Sequence, residues 1–350
     1  MIKKVLVVDD SALVRKILGE EISKFSDFTV VGSAVDPYDA REKIFQLCPD
    51  ILTLDLEMPR MDGLSFLAKL MKYHPLPVVV VSSQAPEGSK AAMTALELGA
   101  VEIIPKPGSQ FTVPDVGQKL IFALRAAASV SIEKLKMSQL LDVTDRELTS
   151  ISSKVLQTTH KLIAIGASTG GPKAIEAVVR RMPADAPGTV IVQHMPATFT
   201  GSFAKHLDKV SLMEVREAED RDNVTPGVAL VAPGDSHMVV SRNGAQYQVR
   251  IKKGPHVHFQ RPSVDVLFQS VAINSGQNAV GVLLTGMGSD GAKGMLEMHK
   301  SGAHTIVQDE ESCIVFGMPK EAINLGGVSE ILPLERITES ILKAFQSSMN

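Results

Sequence analysis

Short apolar runs that break into polar or glycine-rich turns, each followed by apolar positions at helical spacing, recur from one end of the chain to the other. Val5-Leu6-Val7-Val8 reads as a strand, and Leu13, Val14, Ile17, Leu18 and Ile22 after it mark one face of a helix. The same alternation follows in Val30-Val31 with Ile44-Phe45, in Ile51 to Leu54 with Leu64, Leu67, Leu70 and Met71, and in Val78 to Val81 with Met93, Leu96 and Leu98. A fifth strand leads into Ile104-Pro105-Lys106-Pro107, and Val116, Leu120, Ala123, Leu124 and Ala127 define a last helix over 115–128. Alternating strands and helices predict a parallel sheet covered on both faces, a class that binds ligands beyond the carboxyl ends of its strands.

From Ser129 to Lys161 the pattern lapses: Ser, Thr, Lys, Glu and Asp accumulate, with scattered apolar positions such as Leu140-Leu141. This stretch reads as a linker, part of which docks on a domain. The pattern then resumes with a strand over Leu162 to Ile165, a helix over Lys173 to Arg181, a strand over Thr189 to Val192 and another over Ala279 to Leu284. Between the last two, Val228 to Ala232, Met238 to Ser241 and Gln246 to Arg250 read as shorter strands, the latter pair joined through Arg242-Asn243-Gly244. Asn-Gly is a strong hairpin signal, so an antiparallel excursion at one edge of the sheet is expected. A helix should follow Phe316-Gly317-Met318-Pro319-Lys320, and Ile337, Ile341, Leu342 and Phe345 mark a closing amphipathic helix. The expected organisation is therefore a domain over 1–125, a linker over 126–160 and an α/β domain over 161–350, doubly wound and mainly parallel, with an antiparallel hairpin.

Length agrees, because 350 residues suit about two domains of ~100–200 residues each. Lys+Arg 36 against Asp+Glu 39 leaves a formal charge of -3, and without a dense basic run no nucleic-acid partner is expected. The first ten residues end in Asp9-Asp10 where a signal peptide needs an apolar core, and no apolar run reaches the ~18 residues of a span. A cytoplasmic protein without membrane insertion is expected. Cys48 and Cys313 are too far apart for a Cys-x-x-Cys pair, which argues against a zinc site or disulfide framework; both are expected to be buried thiols.

The ends of the first five strands carry Asp9-Asp10, Asp55, Ser82-Ser83 and Lys106. Carboxylates of this kind suit magnesium, and a lysine can neutralise a phosphoryl group, so a phosphorylatable aspartate follows. Together with Asp55-Leu56-Glu57-Met58-Pro59-Arg60-Met61-Asp62-Gly63, Val81-Ser82-Ser83 and Pro105-Lys106-Pro107, the segment resembles the flavodoxin-like receiver domain of bacterial response regulators. The resemblance implies that Asp55 accepts phosphate from a sensor histidine kinase and that Asp9 and Asp10, with Asp55 and the backbone near Glu57, hold Mg2+. Ser82 and Lys106 would read the phosphoryl group. Ile103 stands where such domains commonly place an aromatic switch residue, so an aromatic rotamer switch is not implied.

In the second half, Leu162-Ile163-Ala164-Ile165 breaks into Gly166-Ala167-Ser168-Thr169-Gly170-Gly171-Pro172, a strand turning sharply into a helix with Ser168 at the apex. Such turns also bind nucleotide phosphates, but neither Gly-x-Gly-x-x-Gly nor Gly-x-x-x-x-Gly-Lys-Ser/Thr is present here. His194 ends the next strand, in Gln193-His194-Met195-Pro196, where a neighbouring strand ~4.8 Å away brings imidazole toward the hydroxyl. Asp290, in Leu284-Thr285-Gly286-Met287-Gly288-Ser289-Asp290-Gly291, offers the orienting carboxylate or, alternatively, a cap for the helix that begins there. His256-Val257-His258 is a weak metal signal that reads as surface or active-site rim, while His206 and His237 have no evident partner.

These three motifs resemble the catalytic domain of the chemotaxis protein-glutamate methylesterase family, from about Leu162 to the C-terminus, and the order of domains matches as well. The resemblance implies a Ser168, His194, Asp290 triad, with Thr169 beside the nucleophile and the Met287 amide as oxyanion donor. It implies a phosphorylation-activated hydrolase that demethylates glutamyl methyl esters on methyl-accepting chemoreceptors, deamidates certain receptor glutamines and needs no cofactor for that chemistry. Two rivals remain at this point: an esterase or amidase for another substrate, and a receiver joined to a nucleotide-binding module.

Overall fold

The structure, a computed structural model, describes residues 2–82, 86–106, 113–135 and 160–347. Most of the expected linker, including Leu140-Leu141, lies outside the described residues, as do Ser83 and Pro107. The chain divides into two compact units, Met1–Thr144 and Asp145–Asn350.

In the first unit β1 (Lys3–Val8), β2 (Phe28–Ala34), β3 (Ile51–Asp55), β4 (Val78–Ser82) and β5 (Glu102–Pro105) form one parallel sheet in the order β2-β1-β3-β4-β5. Every residue of β3 and β4 is buried, as continuous apolar strands under helices on both faces require. Three of the helices start on side-chain caps: Ser11 accepts from the Val14 amide, Asp36 from those of Tyr38 and Asp39 ahead of Pro37, and Asp62 from that of Ser65. The strand order reverses at β1 and β3, so the carboxyl ends of these strands frame the crevice. Asp9 and Asp55 stand at those ends. The helix Val113–Ser129 carries fully buried Ala126 and Ala127, so the expected boundary at 125 falls inside a packed helix.

The second unit has seven parallel strands in the order β15-β14-β13-β6-β7-β10-β8: β6 (Leu162–Ala167), β7 (Gly188–Gln193), β8 (Glu214–Glu217), β10 (Val228–Val231), β13 (Ala279–Leu283), β14 (His304–Gln308) and β15 (Glu330–Leu332). β6 lies at the centre, flanked by β7 and β13. The helix after Ser168, Gly171–Val179, begins earlier than the apolar spacing suggested, because Gly170 takes a φ of +77° and Pro172 occupies its first turn.

The hairpin of β11 (His237–Asn243) and β12 (Gln246–Lys252) is present, but it does not extend the parallel sheet. With β9 (Asn223–Val224) it forms a separate three-stranded antiparallel sheet. Met238, Val240, Tyr247 and Val249 turn one face of this sheet into the core. There the Val240 amide donates to Ser270 Oγ at 2.8 Å on the helix Val264–Ser275, so that helix takes the place of a further strand.

Cys313 is buried as expected, but Cys48 is exposed. It occupies the left-handed C-cap of the helix Pro37–Leu47, a position set by the end of the helix rather than by its apolar face. Among the described residues no helix is long and apolar enough to cross a membrane.

Close packing sets the path of β6 toward Ser168. A Cβ at Gly166 would press on Val264 and come within 3.2 Å of Phe268 Cζ, so the strand touches the helix Val264–Ser275 through bare backbone. Gly166→Ala should therefore destabilise the second unit by about 1–3 kcal/mol in denaturant titration. Unchanged stability would mean that this contact is loose.

Candidate active site and receiver site

Ala167 on β6 lies opposite Gln193 on β7, so the next residue of each strand, Ser168 and His194, leaves the sheet beside the other. The His194 amide donates to Ala167 O at 3.2 Å, and on the opposite flank the Ser168 amide donates to Thr285 O at 3.0 Å. The serine turn is thus clamped between the ends of two neighbouring strands. The exposures of Ser168, His194 and Asp290 are 1%, 8% and 2%, which removes all three from bulk water.

Asp290 gathers the site. Its carboxylate meets His194 Nε2 at 2.7 Å and accepts Ser263 Oγ at 2.8 Å, the Val264 amide at 2.8 Å and the Asp265 amide at 3.0 Å. It does cap a helix, but the helix is Val264–Ser275; Ala292–Lys300, which begins just after it, has Gly291 at its N-cap and no side-chain cap. Burial opposes the Asp290 charge. His194 and the amides of Asp265 and Val264 outweigh that cost and hold the carboxyl below the usual carboxylate range.

Ser168 Oγ and His194 Nδ1, like Gln193 Oε1 beside them, are buried and make no hydrogen bond among the described residues. The first two are the atoms a hydroxyl–imidazole couple uses. Since Nε2 is committed to Asp290, Nδ1 is the nitrogen left for a proton acceptor. Thr169 is buried beside the serine, and its carbonyl accepts Thr285 Oγ1 at 2.9 Å. The turn carrying Met287 passes against Ser168, for a Cβ at Gly286 would press on Met318 and lie 2.7 Å from Ser168 Cβ. The Gly286 amide is taken by Val315 O, whereas that of Met287 donates to no described residue.

The roles of Gln193 and His237 were not legible in the sequence, whereas the rim position read for His256-Val257-His258 was. Gln193 is buried, and its Nε2 donates to both Ser168 O at 2.9 Å and His194 O at 3.1 Å, strapping the two loops together. Its only sequence signal was a polar residue at the end of an apolar strand. His237 Nδ1 accepts the Ser263 amide at 3.2 Å, and its Nε2 meets Pro255 O at 2.9 Å. His258 Nε2 lies 3.0 Å from Asp265 Oδ2, so the second histidine of His256-Val257-His258 reaches the rim of the site. Burial raises the Asp265 pKa, and the neighbouring Asp290 charge raises it further, against the Gly294 amide and His258. His206 pairs with Glu176 at 2.8 Å, away from this cluster.

In the first unit one carboxylate oxygen from each of Asp9, Asp10 and Asp55 lies within 4.8 Å of the other two. Asp9 and Asp55 are buried, and Lys106 Nζ stands 3.4 Å from Asp9 and 2.7 Å from Asp55. Burial pushes the Asp55 carboxyl up to about 6, against the pull of Lys106 and the Glu57 amide. Burial likewise works against the Lys106 charge, but Asp55 and Asp9 prevail and hold the ammonium above its usual value. Ser82 is buried at the end of β4, next in the sheet to β3 and Asp55. This cluster holds more negative than positive charge, with Asp9 and Asp55 buried and Asp10 exposed, which suits a hard divalent cation that keeps some of its waters.

Both units have counterparts in known proteins. Residues 5–114 match the response regulator receiver domain and residues 163–341 match CheB methylesterase. A "protein-glutamate methylesterase/protein-glutamine glutaminase 2" of Syntrophus aciditrophicus is 54% identical over 97% of this chain and 98% of its own length. A relative of the corresponding name from Salmonella typhimurium is 50% identical over 97% of this chain and 96% of its own. The crystal structure of the Thermotoga maritima CheB methylesterase catalytic domain, at 37% identity, superposes with a TM-score of 0.51 over 52% of this chain and 97% of that one. With a receiver sheet ending in Asp9 and Asp55 and a seven-stranded sheet ending in Ser168 and His194, the chain belongs to the receiver-linked CheB methylesterase family.

Proposed function

We propose that the second unit hydrolyses γ-glutamyl methyl esters on methyl-accepting chemoreceptors, and deamidates receptor glutamines, under the control of phosphorylation at Asp55 in the first. The observation that carries this reading is the buried contact of His194 Nε2 with Asp290 at 2.7 Å, beside a serine hydroxyl and an imidazole nitrogen that have no other hydrogen bond.

His194 Nδ1 takes the proton of Ser168 Oγ as the oxygen attacks the ester carbonyl. Asp290 stabilises the imidazolium that forms, and the Met287 amide, with the turn around Thr169, receives the oxyanion. The tetrahedral intermediate expels methanol, which leaves with the proton from His194. Water, deprotonated by the same nitrogen, then attacks the acyl-enzyme and releases glutamate and free Ser168. A glutamine side chain follows the same course with ammonia as leaving group.

In the first unit Asp55 is the phosphoryl acceptor, supplied by a chemotaxis histidine kinase, with Lys106 and Ser82 placed to meet the phosphoryl oxygens. Asp9, Asp10 and Asp55 would hold Mg2+, which would supply the charge neutralisation that an anionic donor needs in order to approach three carboxylates. The receiver carries no groups for ester cleavage, so its control acts on access to Ser168 or on geometry there.

Purified Ser168→Ala and His194→Ala should stay folded and release almost no methanol from methylated receptors. Asp290→Asn should lose about 10⁴ in rate, with losses that do not add. Folded Ser168→Ala with near-wild-type turnover would sink the mechanism. Control is tested by methanol release with and without a small phosphodonor. Asp55→Asn should take no label from a cognate kinase and stay slow under both conditions, while a chain beginning at Lys154 is fast under both. If that shortened chain is no faster than the untreated full chain, the receiver does not act by covering the site.

A further inference from the structure

β12 ends at Lys252, and the segment from Lys253 to Ser263 then leads into the helix Val264–Ser275, whose first amides hold Asp290. Within it Val257 and Gln260 bond to each other in both directions, at 3.0 and 2.8 Å, closing a two-residue turn over His258 and Phe259. Both central residues adopt positive φ, +50° and +63°. A turn of that kind favours Asn, Asp or Gly, and this chain places a histidine and a phenylalanine there.

The two side chains go different ways. His258 meets Asp265, and one ligand atom from each of His258, Asp265 and Asp290 falls in a group no wider than 4.8 Å, which sets the turn directly beside the triad carboxylate. Phe259 is 86% exposed, the most exposed large apolar side chain among the described residues. The segment is stapled rather than loose: Arg261 bridges Asp235 and Gly254 O, and His237 holds both Pro255 O and the Ser263 amide. A bulky apolar group is thus held in water at a fixed place on the rim, at the expense of an unfavourable backbone.

Resting on the hydrolase reading above, we infer that Phe259 is a specificity-determining contact for the protein substrate, packing on an apolar side chain of the segment that carries the reacting glutamyl group, with His258 as its positioning residue. Two observations favour the substrate over another occupant. The turn is joined to the triad through His258, Asp265 and Asp290, so a polypeptide segment that lies over the triad and extends past Asp290 comes toward it. Lys252 and Lys253 are exposed at the start of the same segment, and they complement a polypeptide on which each turnover leaves a carboxylate.

The test uses the full chain treated with a phosphodonor and two substrates: methylated receptor membranes and a small soluble glutamyl γ-methyl ester. Phe259→Ser should raise KM for receptor about tenfold, as loss of an apolar anchor at an interface does, with kcat on receptor and kcat/KM on the small ester unchanged. Phe259→Leu should recover most of the loss, and His258→Ala should raise the receptor KM as Phe259→Ser does. Equal kinetics of Phe259→Ser and wild type on receptor overturn the inference. So does a parallel loss on both substrates, which would make Phe259 structural, or a faster unphosphorylated chain, which would make it a seat for the receiver. Wild type that cleaves neither substrate overturns the hydrolase reading and this inference with it.

Discussion

The carboxylate of Asp290 is the point on which the second unit turns. Four donors converge on it from the loop after β7 and from the start of the helix Val264–Ser275. Burying a carboxylate is costly unless its lone pairs are filled, and here they are filled by two backbone amides, one hydroxyl and one imidazole. The stability this contributes is present above the pKa of the unfolded group and is lost as pH falls through the lower folded value. The same bonds fix the ring of His194. A carboxylate on Nε2 leaves Nδ1 without a partner among the described residues, the reverse of the assignment in which Nδ1 meets the carboxylate.

Both units solve the same problem at the same place. Parallel strands end together, so side chains just past their carboxyl ends converge without any loop having to reach across the molecule. In the first unit this gathers Asp9, Asp55 and Lys106 in an under-compensated cluster that suits a cation and a phosphoryl group. In the second it gathers Ser168 and His194 with a neutral hydroxyl and a ring nitrogen left unbonded. Charge excess in one and unspent hydrogen-bonding capacity in the other are what distinguish the two clusters on similar sheets.

This shared constraint is why the strand-end residues could be read from sequence. Apolar runs locate the strands, and the residue after each run is placed by the sheet itself, so Ser168 and His194 needed only the β6–β7 pairing to become neighbours. What the pattern did not carry is contact that depends on tertiary packing. Gln193 looks like any polar strand end, and nothing local tells that its amide reaches two carbonyls. Asp290 sits at the start of one helix by sequence and caps another by packing. The hairpin was legible, but its partner was not, because Ser270 on a helix takes the Val240 amide. Cys48 was misplaced for a simpler reason: a helix end obeys capping geometry rather than the apolar period.

The division of labour between the two nitrogens of His194 is the most specific consequence of this arrangement, and ¹⁵N NMR of the selectively labelled imidazole reads it directly. In the neutral imidazole the proton should reside on Nε2, facing Asp290, with Nδ1 unprotonated, and Asp290→Asn should abolish that preference. A resting enzyme with its proton on Nδ1 and a bare Nε2 would contradict the account, because the nitrogen assigned to deprotonate Ser168 would then have no lone pair to offer.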